Sequence, residues 1–192
     1  MRTTKITQSL RLIGLMLFFC STDLLSADQA NAPRLTLRSY AFTHQHPIPK
    51  QFTCDDANLS PRLIWTNVPK NAKSLVLIMY DPDTPVPAVP LMSWVHWLIY
   101  NIPPSASGLP QNAGPDELPK GALLGKNDWK ETGYKGPCPP IGRHRYFFKL
   151  LALDKVLPNL HLPDYATLEK AMNGHVLDRA ELIGVYQRKV IP

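Results

Sequence analysis

Nowhere in its 192 residues does the chain hold the uninterrupted apolar run of roughly 20 residues that a membrane-spanning helix needs. Dense Lys/Arg blocks are absent too. The 21 basic and 15 acidic residues are spread along the sequence, for a formal charge of +6, so the footprint of a nucleic-acid binder is missing. A mild positive field favours anionic ligands or surfaces in general without naming one. No G-x-S-x-G elbow and no H-E-x-x-H motif occurs, which removes two common local signatures of hydrolases. Internal repeats and a second-domain linker are lacking, and the 20 prolines sit at scattered turn positions rather than in a polyproline tract. Cysteine is scarce: there are three.

The first 32 residues read as a leader. Arg2, Lys5 and Arg11 make a positive start, 12–20 is apolar, and Ala30-Asn31-Ala32 gives the small-x-small pattern of a signal-peptidase site. A lipid anchor at Cys20 is the competing reading, but Phe19 stands where a small residue is wanted. The sequence therefore predicts a cleaved signal peptide over 1–32 and a single domain over 33–192. It predicts a periplasmic or secreted location, with no stable membrane insertion after cleavage. Removing the leader takes away three basic and two acidic residues and leaves +5. Cys54 and Cys138 then remain in a compartment that permits a disulfide, with two free thiols as the alternative.

Strand patterns dominate what is left. Alternating or β-branched and aromatic runs at 35–40, 63–65, 74–80, 95–102 and 146–153 are bounded by Pro, Gly, Asn or Asp. The near-continuous apolar character of 75–79 and 147–151 predicts strands covered on both faces. One helix is expected over 164–172, capped by Asp164 and stopped by Asn173-Gly174. The closing stretch 180–188 tilts towards strand. The expected class is mainly β, with long proline-bearing loops of the kind that carry sites.

Three polar clusters stand at strand ends. Asp81-Pro82-Asp83-Thr84-Pro85 reads most simply as an acidic, proline-stiffened turn. In Trp94-Val95-His96-Trp97, strand alternation sends Val95 and Trp97 to one face and Trp94 and His96 to the other. His96 is either a hydrogen-bonded core residue or a ligand. Gly and Pro crowd 133–140 into a rigid loop, and His144 and Tyr146 follow it on one face of a strand. Such a loop either binds an oxyanion or is purely structural.

Taken in order, these segments resemble the phosphatidylethanolamine-binding proteins. The carriers are Leu59-Ser60-Pro61, Asp81-Pro82-Asp83-Thr84-Pro85, His96-Trp97-Leu98-Ile99-Tyr100-Asn101-Ile102-Pro103, Gly133-Tyr134-Lys135-Gly136-Pro137-Cys138-Pro139-Pro140 and His144-Arg145-Tyr146. The spelling is most similar to the bacterial and archaeal branch called Raf-kinase-inhibitor-like, and it covers about 35–188. The resemblance implies a large antiparallel Greek-key sheet, a smaller second sheet and few short helices. It also implies a pocket for phosphate or a phospholipid head group, built from Asp81, Asp83, Trp94, His96, Gly136, Cys138, Pro139, Pro140, His144 and Tyr146. No equivalent of the C-terminal helix of animal members is found, so phospholipid selectivity and kinase inhibition do not transfer.

In the expected mechanism, N–H groups of the Gly136 loop, both imidazoles and the Tyr146 hydroxyl donate to anion oxygens. Asp81 and Asp83 would orient and help protonate the histidines. The function expected is an exported binding, inhibitor or regulatory module without catalytic residues, metal or cofactor. A hydrolase using Asp, His and Cys138 is the alternative, and a metal held by Asp81, His96 and His144 is a third reading. No protein partner is specified, and a homodimer is compatible with the sequence.

Overall fold

The computed structural model describes residues 33–188; the signal segment expected over 1–32 lies outside them. In chain order the strands are β1 (Thr36–Ser39), β2 (His46–Pro47), β3 (Leu63–Thr66), β4 (Ser74–Val86), β5 (Val89–Ile102), β6 (Gly108–Leu109), β7 (Leu123–Leu124), β8 (Arg143–Leu153) and β9 (Val176–Gln187). One α-helix, α1 (Tyr165–Met172), lies among them. The Asp164 carboxylate accepts from the Thr167 N–H at 2.9 Å and so caps its start.

A three-stranded sheet runs β1-β3-β6, and a six-stranded sheet runs β2-β9-β8-β4-β5-β7. After the β4–β5 hairpin the chain makes a long excursion and returns as β8 on the other side of β4. Pairing is antiparallel throughout except for the short edge strand β2, which lies parallel to β9.

Two apolar layers hold these elements. One joins the sheets through Leu37, Trp65, Leu77, Trp97, Phe148 and Leu150; the other seats α1 on the large sheet through Val76, Ile78, Leu98, Tyr100, Leu168 and Met172. Alternate residues of β4 enter opposite layers, which is why 75–79 carries no polar side chain. Each fully buried side chain of this size contributes about 1.5–3 kcal/mol of transfer free energy.

Both strands of the central hairpin run further than their sequence signals. β4 continues through the Asp-Pro-Asp segment to Val86, and β5 starts at Val89. The expected acidic turn is therefore a bulged strand, with the four residues from Asp81 to Thr84 opposite the three from Met92 to Trp94. Pairing with 89–94 overrides the local turn preference of Asp-Pro. A second bulge lies at His96, where Met79 and Tyr80 are consecutive but face Trp97 and Val95. That extra residue resets the alternation. Val95 joins the helix-side layer while Trp97 joins the inter-sheet layer, against the expectation that they share a face. Among the described residues no helix is long and apolar enough to cross a membrane.

Candidate functional site

A hollow of about 190 Å³ opens where β8 begins, beside the later part of β4 and the middle of β5. Asp81, Thr84, Trp94, His96, Trp129, Cys138, Pro139, Pro140, His144 and Tyr146 line it. Eight of the ten residues read from the sequence thus meet around one space. Asp83 and Gly136 do not, and Thr84 and Trp129 were not anticipated.

The two bulges aim the side chains. Strand β8 is regular here, so His144 and Tyr146 both turn inward and are fully buried. His144 Nδ1 lies 2.7 Å from Asp81 Oδ2, and its Nε2 lies 3.0 Å from the Ile141 carbonyl oxygen. Both ring nitrogens thus lie against oxygen atoms of the protein. The other oxygen of Asp81 accepts from the Asp83 N–H at 2.8 Å. His144 and Asp81 therefore spend their polar atoms on each other and on the backbone. Asp81 thus orients His144, as the sequence suggested, while both His144 ring nitrogens are taken up by protein acceptors rather than left for an anion.

Asp83 faces away, towards Arg145. Its carboxylate receives Nε at 2.9 Å, a terminal guanidinium nitrogen at 2.6 Å, and the Arg145 backbone N–H at 2.9 Å. The guanidinium holds the Asp83 carboxyl below the usual carboxylate range, against the opposing effect of burial. Asp83 is a clamp between β4 and β8, not a wall of the hollow. Its partner Arg145 gave no sign in the sequence beyond its place between His144 and Tyr146.

The proline-rich loop is pinned on two sides. His96 Nδ1–H donates to the Lys135 carbonyl at 2.7 Å, and the Lys135 N–H returns a bond to the His96 carbonyl at 3.2 Å. Tyr134 Oη donates to the Phe52 carbonyl at 2.7 Å, and the Cys54 N–H donates to the Pro137 carbonyl at 3.1 Å. Cys54 and Cys138 are bonded as a disulfide across a separation of 84 residues. The Gly136 N–H donates to Asn58 Oδ1 at 2.8 Å. It is consumed there and unavailable to an anion, contrary to the expected cradle. Glycine is needed at 136 for space: a Cβ would collide with the Phe52 carbonyl and with Asn58 Oδ1 at 2.7 Å.

What remains free is a small set of donors. The Tyr146 hydroxyl and the Trp94 Nε1–H, like the Trp97 Nε1–H away from the hollow, are buried and make no hydrogen bond of good geometry, although the Asp81 carboxylate and the Cys138 N–H stand close to the Tyr146 oxygen. Burial and the nearby Asp81 carboxylate push the Tyr146 phenol far above its ordinary value, so it stays a neutral donor. Burial likewise lowers the His96 pKa, although the Lys135 carbonyl, Asp81 and Asp128 pull the other way. The ring is neutral at pH 7 with its Nδ1–H on Lys135. Trp129 closes the rim, its ring edge-on to Trp94 at 5.4 Å and to His96 at 5.0 Å. It reaches the site because the Asp128 carboxylate and N–H bracket Val95, at 2.7 and 3.0 Å. No periodic signal marks that loop.

Two groups of the hydrolase and metal readings are engaged within the protein. The Cys138 sulfur is bonded to Cys54, and both His144 nitrogens are engaged. Cys138 therefore offers no thiolate and His144 no free ring nitrogen, whereas only Nδ1 of His96 is hydrogen-bonded.

A two-sheet β-fold with this hollow at the start of β8 defines a class. The family model for phosphatidylethanolamine-binding protein matches residues 38–187, and the chain belongs to that family. Among curated relatives, a UPF0098 protein of Methanothermobacter thermautotrophicus is 48% identical over 156 residues, covering 80% of this chain and 99% of the relative. The UPF0098 protein of Chlamydia trachomatis is 41% identical over 154 residues, again 80% and 99%. Two solved structures share the fold at a TM-score of 0.74. The C. trachomatis protein CT736, described as a homolog of phosphatidylethanolamine-binding protein, is 40% identical and covers 81% of this chain and 99% of its own. Escherichia coli YbcL, described as a member of the mammalian family, is 30% identical and covers 82% and 100%.

Proposed function

We propose that the chain is an exported binding protein whose hollow takes a small oxyanion, phosphate or a phosphoethanolamine-like head group. The observation that carries this reading is that Tyr146 and Trp94, whose Oη and Nε1 are buried without a hydrogen-bond partner, both line one small space. Buried polar groups in native proteins find partners, and an orphan pair at a hollow calls for an acceptor from outside. His96 stands beside them as a ring that gains a positive charge on protonation. An oxyanion suits neutral donors next to a group that can become cationic.

The small space limits what enters. At 190 Å³ the hollow lies below the ~300–1,000 Å³ of sites that enclose a drug-sized molecule. A head group fits; an acyl chain does not. The Asp81 carboxylate is held by the protein at both oxygens, one against the His144 ring and the other on the Asp83 N–H. Export follows from the leader motif, and the disulfide between Cys54 and Cys138 is consistent with an oxidising compartment.

Isothermal titration of the purified protein with inorganic phosphate and with phosphoethanolamine tests the reading. Saturable, one-to-one binding of either is expected. Absence of heat with both, in a protein shown by its mass to carry no retained ligand, overturns it.

A further inference from the structure

A second, larger cleft lies on the helix side of the six-stranded sheet. It measures about 750 Å³, runs between α1 and strands β8 and β9, and shares no residue with the hollow. Strand alternation builds its lining. Arg179 pairs with Leu151, and Lys149 lies two residues along β8 from Leu151, so the three project from one face of the sheet. Ile78, Leu151 and Met172 are buried and form an apolar floor, and Val176, 38% exposed, forms a lip.

The cations of this cleft are unanswered. Lys149, Lys170 and Arg179 line it, and none of the ion pairs among the described residues includes them. Lys170 stands in the last turn of α1, where a cation complements the helix end. Lys149 and Arg179 have no such duty. Lys149 is half-buried on the face that elsewhere carries Val76, Ile78 and Leu151, with its Nζ 5.1 Å from the centre of the Tyr80 ring. A lysine drawn into an apolar face is normally paired with a carboxylate, yet its register neighbour Glu181 forms no ion pair with it. The lining carboxylate Glu169 accepts from the Tyr165 hydroxyl at 2.7 Å. Even with Glu181 counted, three cations face two carboxylates.

We propose that this cleft is a second ligand site and takes an amphiphilic organic anion, its apolar body on Ile78, Leu151 and Met172 and its carboxylate or sulfonate at Lys149 and Arg179. Size and charge agree on that class. A volume of 750 Å³ falls within the ~300–1,000 Å³ of sites that enclose a small organic molecule, and such sites join apolar walls to a few converging polar groups. The aliphatic stems of the three basic side chains extend the apolar lining while their charged ends stay at the mouth. A bare inorganic anion would leave the floor wet. An uncharged hydrocarbon would leave the cations unanswered, and an acidic peptide would answer them without filling the floor.

Nuclear magnetic resonance of the purified protein reads both sites at once, the cleft through the Met172 methyl group and the hollow through the Trp94 indole. Octanoate supplies tail and charge together, acetate the charge alone, octanol the tail alone, and hexaglutamate an acidic peptide. The Met172 methyl should move saturably with octanoate, about tenfold tighter than with any of the other three. A Lys170→Gln/Arg179→Gln variant, changed at two exposed positions, should keep its thermal stability and bind octanoate about fivefold more weakly. Its Trp94 indole should respond to phosphoethanolamine as in the parent, whether or not the hollow takes that ligand. A Met172 methyl that octanoate leaves in place overturns the proposal, and so does equal octanoate affinity in variant and parent. Octanol binding as tightly as octanoate would reduce the cleft to an apolar trap, and tighter binding of hexaglutamate would assign it to a peptide; either result overturns the proposal.

Discussion

Tyr146 and His96 carry the account at the scale of single residues, and their physics separates binding from stability. Replacing Tyr146 by Phe removes a hydroxyl that makes no hydrogen bond of good geometry in the fold. Folding stability should stay level or rise slightly, because no native hydrogen bond is lost. Oxyanion affinity should fall by about tenfold or more, the worth of one charge-assisted bond of ~1.5–3 kcal/mol. Calorimetric titration read beside a thermal melt checks both halves. A parallel loss of stability would mean that the hydroxyl has a structural partner.

His96 gives a pH prediction with a definite sign. Burial favours its neutral form, so its folded pKa lies below the unfolded value of about 6.5. Between those two values the unfolded chain binds more protons, and stability is lost as the pH falls below about 6.5. An anion in the hollow works in the opposite direction by favouring the imidazolium. Sulfate, whose charge is constant over this range, should bind more tightly as pH is lowered from neutral. A His96→Gln variant should show a flatter profile of both stability and sulfate affinity. Urea unfolding midpoints and titrations across pH 5–8 measure this, and an unchanged slope in the variant would exclude His96 as the coupled group.

Secondary-structure elements show where the sequence could be read and where it could not. Strand β8 is regular, so period-two alternation placed His144 and Tyr146 together on an inward face. The same rule failed two strands away in β5: the bulge at His96 separates Val95 from Trp97, and no local residue announces it. Asp-Pro-Asp failed for a related reason, since its turn preference is local and the pairing that overrules it comes from 89–94. Asp83 then becomes the element-scale test. Its carboxylate takes three hydrogen bonds from Arg145 and ties the bulge of β4 to β8. Asp83→Ala should cost about 2–3 kcal/mol, tempered by the half-exposed guanidinium that water can still solvate. Chemical denaturation of the variant measures the loss; a change within a few tenths of a kcal/mol would make the clamp ornamental.

For the whole molecule, the hollow is an assembly of distant segments. Three of its walls come from 81–84, 94–96 and 138–146, and a fourth comes from Trp129 on a loop without periodic signal. Motif order was enough to suggest that the first three converge. Which polar atoms remain free could not be read, because Asn58, Phe52 and Ile141 claim their partners only in three dimensions. The disulfide closes 84 residues of chain, worth about 4–5 kcal/mol in the chain-entropy model. A Cys54→Ser/Cys138→Ser variant should show a correspondingly lower unfolding free energy. An unchanged value would indicate that the reduced chain already keeps the loop closed.

The most direct test of the central claim uses the four tryptophans, whose indole N–H groups report separately by nitrogen-edited nuclear magnetic resonance. Trp65 already donates to the Ala106 carbonyl at 2.6 Å, and Trp97 is buried away from the hollow. On titration with phosphoethanolamine the Trp94 indole resonance should move downfield and saturate, while those of Trp65 and Trp97 stay in place. Saturable binding that leaves the Trp94 resonance unmoved would contradict the account.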